Sequence, residues 1–160
     1  RTASLTARLN YIFSPTFSFQ FYAQPFISAG DYDEFMEVAD ARAERFGDRF
    51  HTFPGTEIRR CEDAEGNVFF GVRPRADGCG DTAAFGYSFG NPDFNVRQLN
   101  SNAVLRWEYR PGSTLFVVWS QGRSDFTTDG RFQLRNNTSD LFRAPGTNVL
   151  LIKMSYWLDW

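Results

Sequence analysis

A single histidine, two cysteines and a scatter of carboxylates are the groups from which this 160-residue chain would have to build site chemistry. His51 has no Gly-x-Ser-x-Gly nucleophile elbow to serve. A zinc site needs closely spaced thiolate and imidazole ligands, and Cys61 and Cys79 lie 18 residues apart with none beside them. Those two thiols would stay reduced in a cytosol and are free to pair in an oxidising compartment, and spacing alone leaves the disulfide open. Asp31, Asp33, Glu34, Glu37 and Asp40 form an acidic cluster, explained more economically as a solvated helix face than as paired catalytic carboxylates. Asp63, Glu65 and Asn67 carry oxygen ligands suited to Ca²⁺, but without the EF-hand spacing they read as a hairpin turn. Tyr32, Phe85, Tyr87 and Phe89 are aromatic loop residues, expected to pack inside the long loop, with stacking on sugars as the competing role. The residues thus predict no enzymatic activity, no metal and no cofactor.

Composition points elsewhere. The chain holds eighteen Phe, six Tyr and four Trp against only two Met, and aromatic enrichment favours strands. With 17 Lys+Arg against 19 Asp+Glu, the charge is nearly balanced, which predicts no nucleic-acid partner. No apolar run is long enough for a transmembrane helix, but alternating barrel strands average out on any hydropathy scale. The chain opens on Arg1 with no leader pattern behind it, so it is expected to be a mature chain or a portion of a longer one.

Five segments alternate with period two. Leu5, Ala7, Leu9, Tyr11 and Phe13 share one face of the first, and Phe17, Phe19, Phe21 and Ala23 one face of the second, with Ser14-Pro15-Thr16 as the turn between them. The third runs over 94–110, placing Leu105, Trp107 and Tyr109 opposite Arg106, Glu108 and Arg110. Pro111-Gly112 leads into the fourth, with Leu115, Val117 and Trp119 on one face. The fifth alternates from Thr147 to Trp160 through Ile152, Lys153, Met154 and Tyr156. Two long connections interrupt them, at about 29–93 and 124–146. The first is predicted to carry a helix, with Asp31 and Glu34 as a capping box, Phe35, Val38, Ala39, Ala43 and Phe46 at helical spacing and Gly47 as the stop. A hairpin is expected over 57–62 and 67–73, and a further short strand over 82–89.

The alternation of tight turns with long loops matches bacterial outer-membrane barrels, whose periplasmic turns are short and extracellular loops long. Each segment has the roughly 9–11 residues that a tilted strand needs to cross the hydrocarbon layer. The fold expected is all-β: an antiparallel transmembrane β-barrel segment of about five long strands, with a long extracellular loop carrying one short helix. Leu105, Trp107, Tyr109, Trp119, Ile152, Tyr156 and Trp160 would then face lipid or form the aromatic girdle, while Arg8, Gln20, Arg106, Glu108, Arg110 and Lys153 would line the lumen. A soluble sandwich or small-barrel carbohydrate-binding module satisfies the same alternation with the faces reversed. A secreted hydrolase using Asp31 and Glu34 is a third reading.

The terminal Tyr156-Trp157-Leu158-Asp159-Trp160 resembles the C-terminal β-signal of outer-membrane proteins. Leu105-Arg106-Trp107-Glu108-Tyr109-Arg110-Pro111-Gly112-Ser113-Thr114-Leu115-Phe116, with Val117-Val118-Trp119 after it, resembles the most distinctive stretch of an uncharacterised bacterial family. Phe21-Tyr22-Ala23-Gln24-Pro25-Phe26, Asn91-Pro92-Asp93-Phe94-Asn95 and Ile152-Lys153-Met154-Ser155-Tyr156-Trp157 fit it too, leaving 41–90 and 124–146 unassigned. Its members resemble outer-membrane barrels preceded by a carbohydrate-binding-module-like domain. The resemblance implies that residues 1–160 are the C-terminal part of such a barrel, in a Gram-negative outer membrane, with a structural or transport role. The partners implied are membrane lipid, the remaining barrel strands and the barrel-assembly machinery. Five strands cannot close a barrel, since single-chain examples begin at about eight, so further strands from the same or another chain are expected. The extracellular cut expected before Arg1 would be a nicked loop.

Overall fold

A computed structural model of the chain describes residues 1–75, 78–79 and 84–158. Its strands are β1 (Thr2–Ser4), β2 (Ala7–Ser14), β3 (Phe17–Gly30), β4 (Met36–Val38), β5 (Phe50–Thr52), β6 (Ile58–Glu62), β7 (Val68–Val72), β8 (Tyr87–Gly90), β9 (Phe94–Arg110), β10 (Ser113–Thr127) and β11 (Gly146–Ser155). One α-helix, α1, spans Leu134–Arg143, and a 3-10 turn spans Phe46–Arg49. The chain divides into two compact units, Arg1–Gly30 with Phe94–Trp160, and Asp31–Asp93.

The first unit is an all-antiparallel meander. β1 and β2 follow one another along one edge of β3, and β9, β10 and β11 continue the sheet in that order. The two tight turns lie at the same end. At Pro111-Gly112 the chain needs a left-handed residue, and Gly112 supplies it at φ 76°. The same position would also crowd a side chain, because an added Cβ would sit 3.1 Å from the Cβ of Trp157. Among the described residues no strand pairs with the outer side of β2 or of β11, so the sheet is open.

The buried apolar residues of this unit are concentrated away from the tight turns. Ile27, Ala29 and Leu99 of the sheet and Leu141 and Ala144 of the helical segment are buried, and Ile27 and Leu141 line one groove. Beside them Arg97, only 4 % exposed, forms an ion pair through Nη2 with Asp125 at 2.7 Å and donates from Nη1 to Asp140 of α1 at 2.8 Å. A charge so buried requires partners, and the two carboxylates tie the helix to the sheet.

The second unit is built on small sheets and rings. β4 pairs β5, and β6, β7 and β8 form a separate three-stranded sheet. Phe35, Phe70 and Phe89 cluster with ring centroids 4.6–5.6 Å apart. Phe85 covers Gly71 so closely that a Cβ there would overlap its ring. Cys61 and Cys79 are disulfide-bonded, which resolves the pairing that spacing left open.

The helix expected over residues 31–47 is absent. Met36–Val38 is strand β4, paired with β5, and Gly47 lies inside the 3-10 turn. Phe35 is drawn into the ring cluster of the three-stranded sheet, a tertiary contact that outweighs local helical spacing. The helix forms instead inside the polar 124–146 connection. Its N-cap residue Gln133 makes no side-chain capping bond, and so gives no start signal in the sequence. The expected hairpin is β6–β7. Of the short strand expected over 82–89 only the end forms, as β8 at Tyr87–Gly90, with 82–83 outside the described residues. The last strand ends at Ser155, short of the expected run to the final residue. Trp160 lies outside the described residues.

Leu141 is fully buried under α1. Leu141→Ala is expected to cost about 2–5 kcal/mol, read by hydrogen exchange as lost protection across Leu134–Arg143 while β9–β10 amides keep theirs.

Candidate membrane interface

Alternation gives each strand of the first unit two faces, and the register aligns these faces across the sheet. On one face Leu9, Phe21, Ala103, Trp119 and Leu150 lie in one row. Tyr11, Phe19, Leu105, Val117 and Ile152 make the next, and Phe17, Trp107, Leu115 and Met154 the row nearest the turns. All three rows are apolar or aromatic across the sheet, yet none of their residues is buried. Trp107 is 47 % exposed and Ile152 65 %.

Aromatic rings gather at the turn end of this band. Tyr11 meets Phe13 edge-on at 4.7 Å, Phe13 stacks on Phe17 at 4.8 Å, and Trp107 meets Tyr109 at 6.1 Å. The Tyr109 hydroxyl donates to the Ser155 carbonyl, and the Trp157 amide donates to Ser113 Oγ. Trp119 lies two rows further in and donates its indole N–H to Asn148 Oδ1. The ring of Arg110's partner, Tyr156, belongs to the same end: Arg110 Nη1 donates to its hydroxyl at 2.8 Å, with the guanidinium 5.7 Å from the ring centroid. Arg110 thus engages the aromatic end of the sheet, apart from the charged residues with which it shares alternation.

The opposite face is mixed, and most polar on β2 and β3. Arg8, Tyr22, Asn102 and Ser120 form one row, and Ser18, Arg106, Phe116 and Lys153 another, with Asn10, Gln20, Val104, Val118 and Leu151 between them. Asn102 donates to Ser120 Oγ at 2.7 Å, Arg106 pairs with Glu108 at 3.2 Å, and Arg8 lies over the Tyr22 ring. A hollow of about 360 Å³ opens here, lined by Arg8, Asn10, Gln20, Tyr22 and Asn102 among others. Five of the six residues expected to line a lumen therefore share one face. Val149 and Leu151 of β11 share it as well, so that strand is apolar on both sides. Sequence reading missed the Asn102–Ser120 bond and the Arg97 cluster. Arg97 signals itself as a charge interrupting an apolar face, whereas Asn102 and Ser120 sit among other polar residues and carry no such signal.

A family model described as "Domain of unknown function (DUF5916)" matches residues 75–160. The chain belongs to the DUF5916 family. The match takes in β9, β10, α1 and β11, and hence the greater part of the band and of the charged face. No curated protein and no solved structure matches the chain.

The other candidate residues of this DUF5916 protein lie in the second unit and are not brought to one place. Asp31, Asp33 and Glu34 are exposed, and Asp40 accepts the Arg42 amide. Glu37 pairs with Arg73 and accepts from the Tyr87 hydroxyl at 3.3 Å. Partial desolvation, then the negative Glu37, raises the Tyr87 pKa above its usual value. His51 Nε2 and Glu57 Oε2 are 2.7 Å apart. Among the described residues no three His, Cys, Asp or Glu side chains converge as metal ligands. Phe85 is buried and Phe89 stacks on Phe70, leaving Tyr32 and Tyr87 as the exposed members of the aromatic set.

The Asp63 carboxylate accepts the Glu65 and Asn67 amides at 3.1 and 2.7 Å and the Asn67 side chain at 3.0 Å. Its oxygens are thus engaged in closing the β6–β7 turn, and the Asn67 bonds hold its pKa below the ordinary 3.8. A depressed carboxylate stabilises the fold above its unfolded pKa, and that contribution fades as pH falls through the folded one. Amide protection in β6–β7 should therefore drop on acidification below about pH 4. Asp63→Ala should show weaker protection already at pH 7 and lose this site's share of the pH dependence.

Proposed function

We propose that the chain supplies consecutive strands to the wall of an outer-membrane β-barrel, with a structural or transport role and no catalysis of its own. The observation that carries this reading is the three-row apolar band, exposed on one face of a sheet whose reverse is a polar hollow. Soluble monomers rarely leave contiguous apolar patches beyond a few hundred Å² in water. Bilayer is the solvent in which such a band is stable, and barrels put their polar face inward. Aromatic rings at one end of the band suit the membrane–water interface.

Two further features support it. The open edges at β2 and β11 need neighbours, since unpaired backbone groups in lipid cost several kcal/mol each. Further strands, from the same protein or another chain, would close the wall. The Cys61–Cys79 disulfide suits an oxidising compartment outside the cytoplasm. The Asp31–Asp93 unit joins β3 to β9 at the ends away from the tight turns, and would be extracellular with those turns periplasmic. Arg8, Gln20, Arg106, Glu108 and Lys153 would then contact the lumen.

The protein should require detergent for extraction and migrate faster on gels before boiling than after; a chain monodisperse without detergent overturns the reading. In the folded barrel, Val117→Arg is expected to cost about 2–4 kcal/mol. Gln20→Arg, on the other face, should leave stability within about 0.5 kcal/mol. Denaturant unfolding in vesicles measures both, and equal costs would reverse the assignment of faces.

A further inference from the structure

The apolar surface does not end with the three rows. On β3 the same face reads Phe17, Phe19, Phe21, Ala23, Pro25, Ile27 and Ala29, with no polar residue among them. Ala3 pairs with Ile27, and Ala7 and Leu9 pair with Ala23 and Phe21, so the flanking strands extend this track. Beneath α1 the track runs into an apolar groove of about 480 Å³, with Pro25 and Ile27 from β3, Leu5 from the link between β1 and β2, and Leu134, Leu141 and Phe142 from the helix among its lining residues. Such a volume lies within the range of small-molecule sites.

The helix has two different flanks. Asp140 faces the Arg97 side, where the helix is anchored. Leu134, Thr138 and Phe142 line the groove, and Leu134 and Phe142 remain more than half exposed. Arg135 lies seven residues before Phe142, which places the two on one stripe of the helix. Arg135 is exposed and makes no ion pair among the described residues. An exposed guanidinium at the rim of an apolar groove suits an amphiphile with a phosphate head and a hydrocarbon tail.

We infer that the groove beneath α1 holds the upper part of one acyl chain of a phosphate-bearing membrane lipid, with Arg135 at its head group. This rests on the barrel reading, because the track reaches lipid only if its lower rows do. The chain would leave the bilayer along Ala23, Ala7 and Leu5, and α1 would lie at the level of the head groups.

The test uses the protein extracted from membranes in mild detergent and delipidated, then offered phosphatidylglycerol or phosphatidylcholine, with retained lipid counted by native mass spectrometry. One phosphatidylglycerol should be retained, with about tenfold preference over phosphatidylcholine. Ala3→Trp, which fills the groove, should lower occupancy about tenfold. Arg135→Glu, at an exposed helix position, should leave folding intact and remove the preference. Equal retention of the two lipids, or binding unaffected by both substitutions, would overturn the site. Gel migration before and after boiling, on the same samples, separates the two ideas. Heat-modifiable protein that retains no lipid overturns the groove assignment alone, as it would if a further strand or protein segment fills the groove. Protein that is not heat-modifiable overturns the barrel reading and the groove with it.

Discussion

The pairing of β9 with β10 runs through fifteen positions from Ser113 to Thr127, and everything about the first unit's two faces depends on that register. Side chains in a strand alternate strictly, so a slip of one residue would turn Trp107 and Leu105 onto the polar face of the neighbouring strand and bring Arg106 and Glu108 onto its apolar one. The Pro111-Gly112 turn sets the register at one end, with a local shift between Ser113 and Thr114 absorbing its geometry. Because β3 and β11 then pair on either flank, one correctly placed hairpin propagates the apolar rows across the sheet.

The same face serves two environments along its length. Near the turns it is an exposed apolar band; further up it is a core, with Ile27, Ala29 and Leu99 beneath α1. The transition coincides with Ser101, Gln121 and Asn148, a polar row, and beyond it Arg97 and Asp125 replace apolar neighbours. Arg97 is tolerated there because Asp125 and Asp140 neutralise it and Thr127 accepts another of its protons. On the β1–β3 side no such polar row interrupts the face, which is why the groove under α1 continues the apolar surface.

The Asp31–Asp93 unit achieves its stability differently. Its strands are short, and its interior depends on packed rings, a disulfide and the Asp63 turn. Small folds with little core area commonly rely on such cross-links. Of the groups that drew attention in the sequence, Glu37 pairs with Arg73 and His51 meets Glu57, while Asp31, Asp33 and Glu34 are exposed.

The amino-acid order by itself determined the long strands, because period-two alternation is a local property that survives in any tertiary context: the 94–110 segment is β9 to the residue. Proline and glycine at the turns, and the β6–β7 hairpin about Asp63, were legible for the same reason. Tertiary structure alone decided where the helix lies. Phe35 left its helical spacing for rings remote in sequence, while Leu134–Arg143 became helical because Leu141 and Asp140 find partners on β3, β9 and β10. It also decided that Arg110 engages Tyr156 and that Cys61 meets Cys79. Alternation names the two faces of a strand, but only the neighbours brought by folding determine what each residue on a face meets.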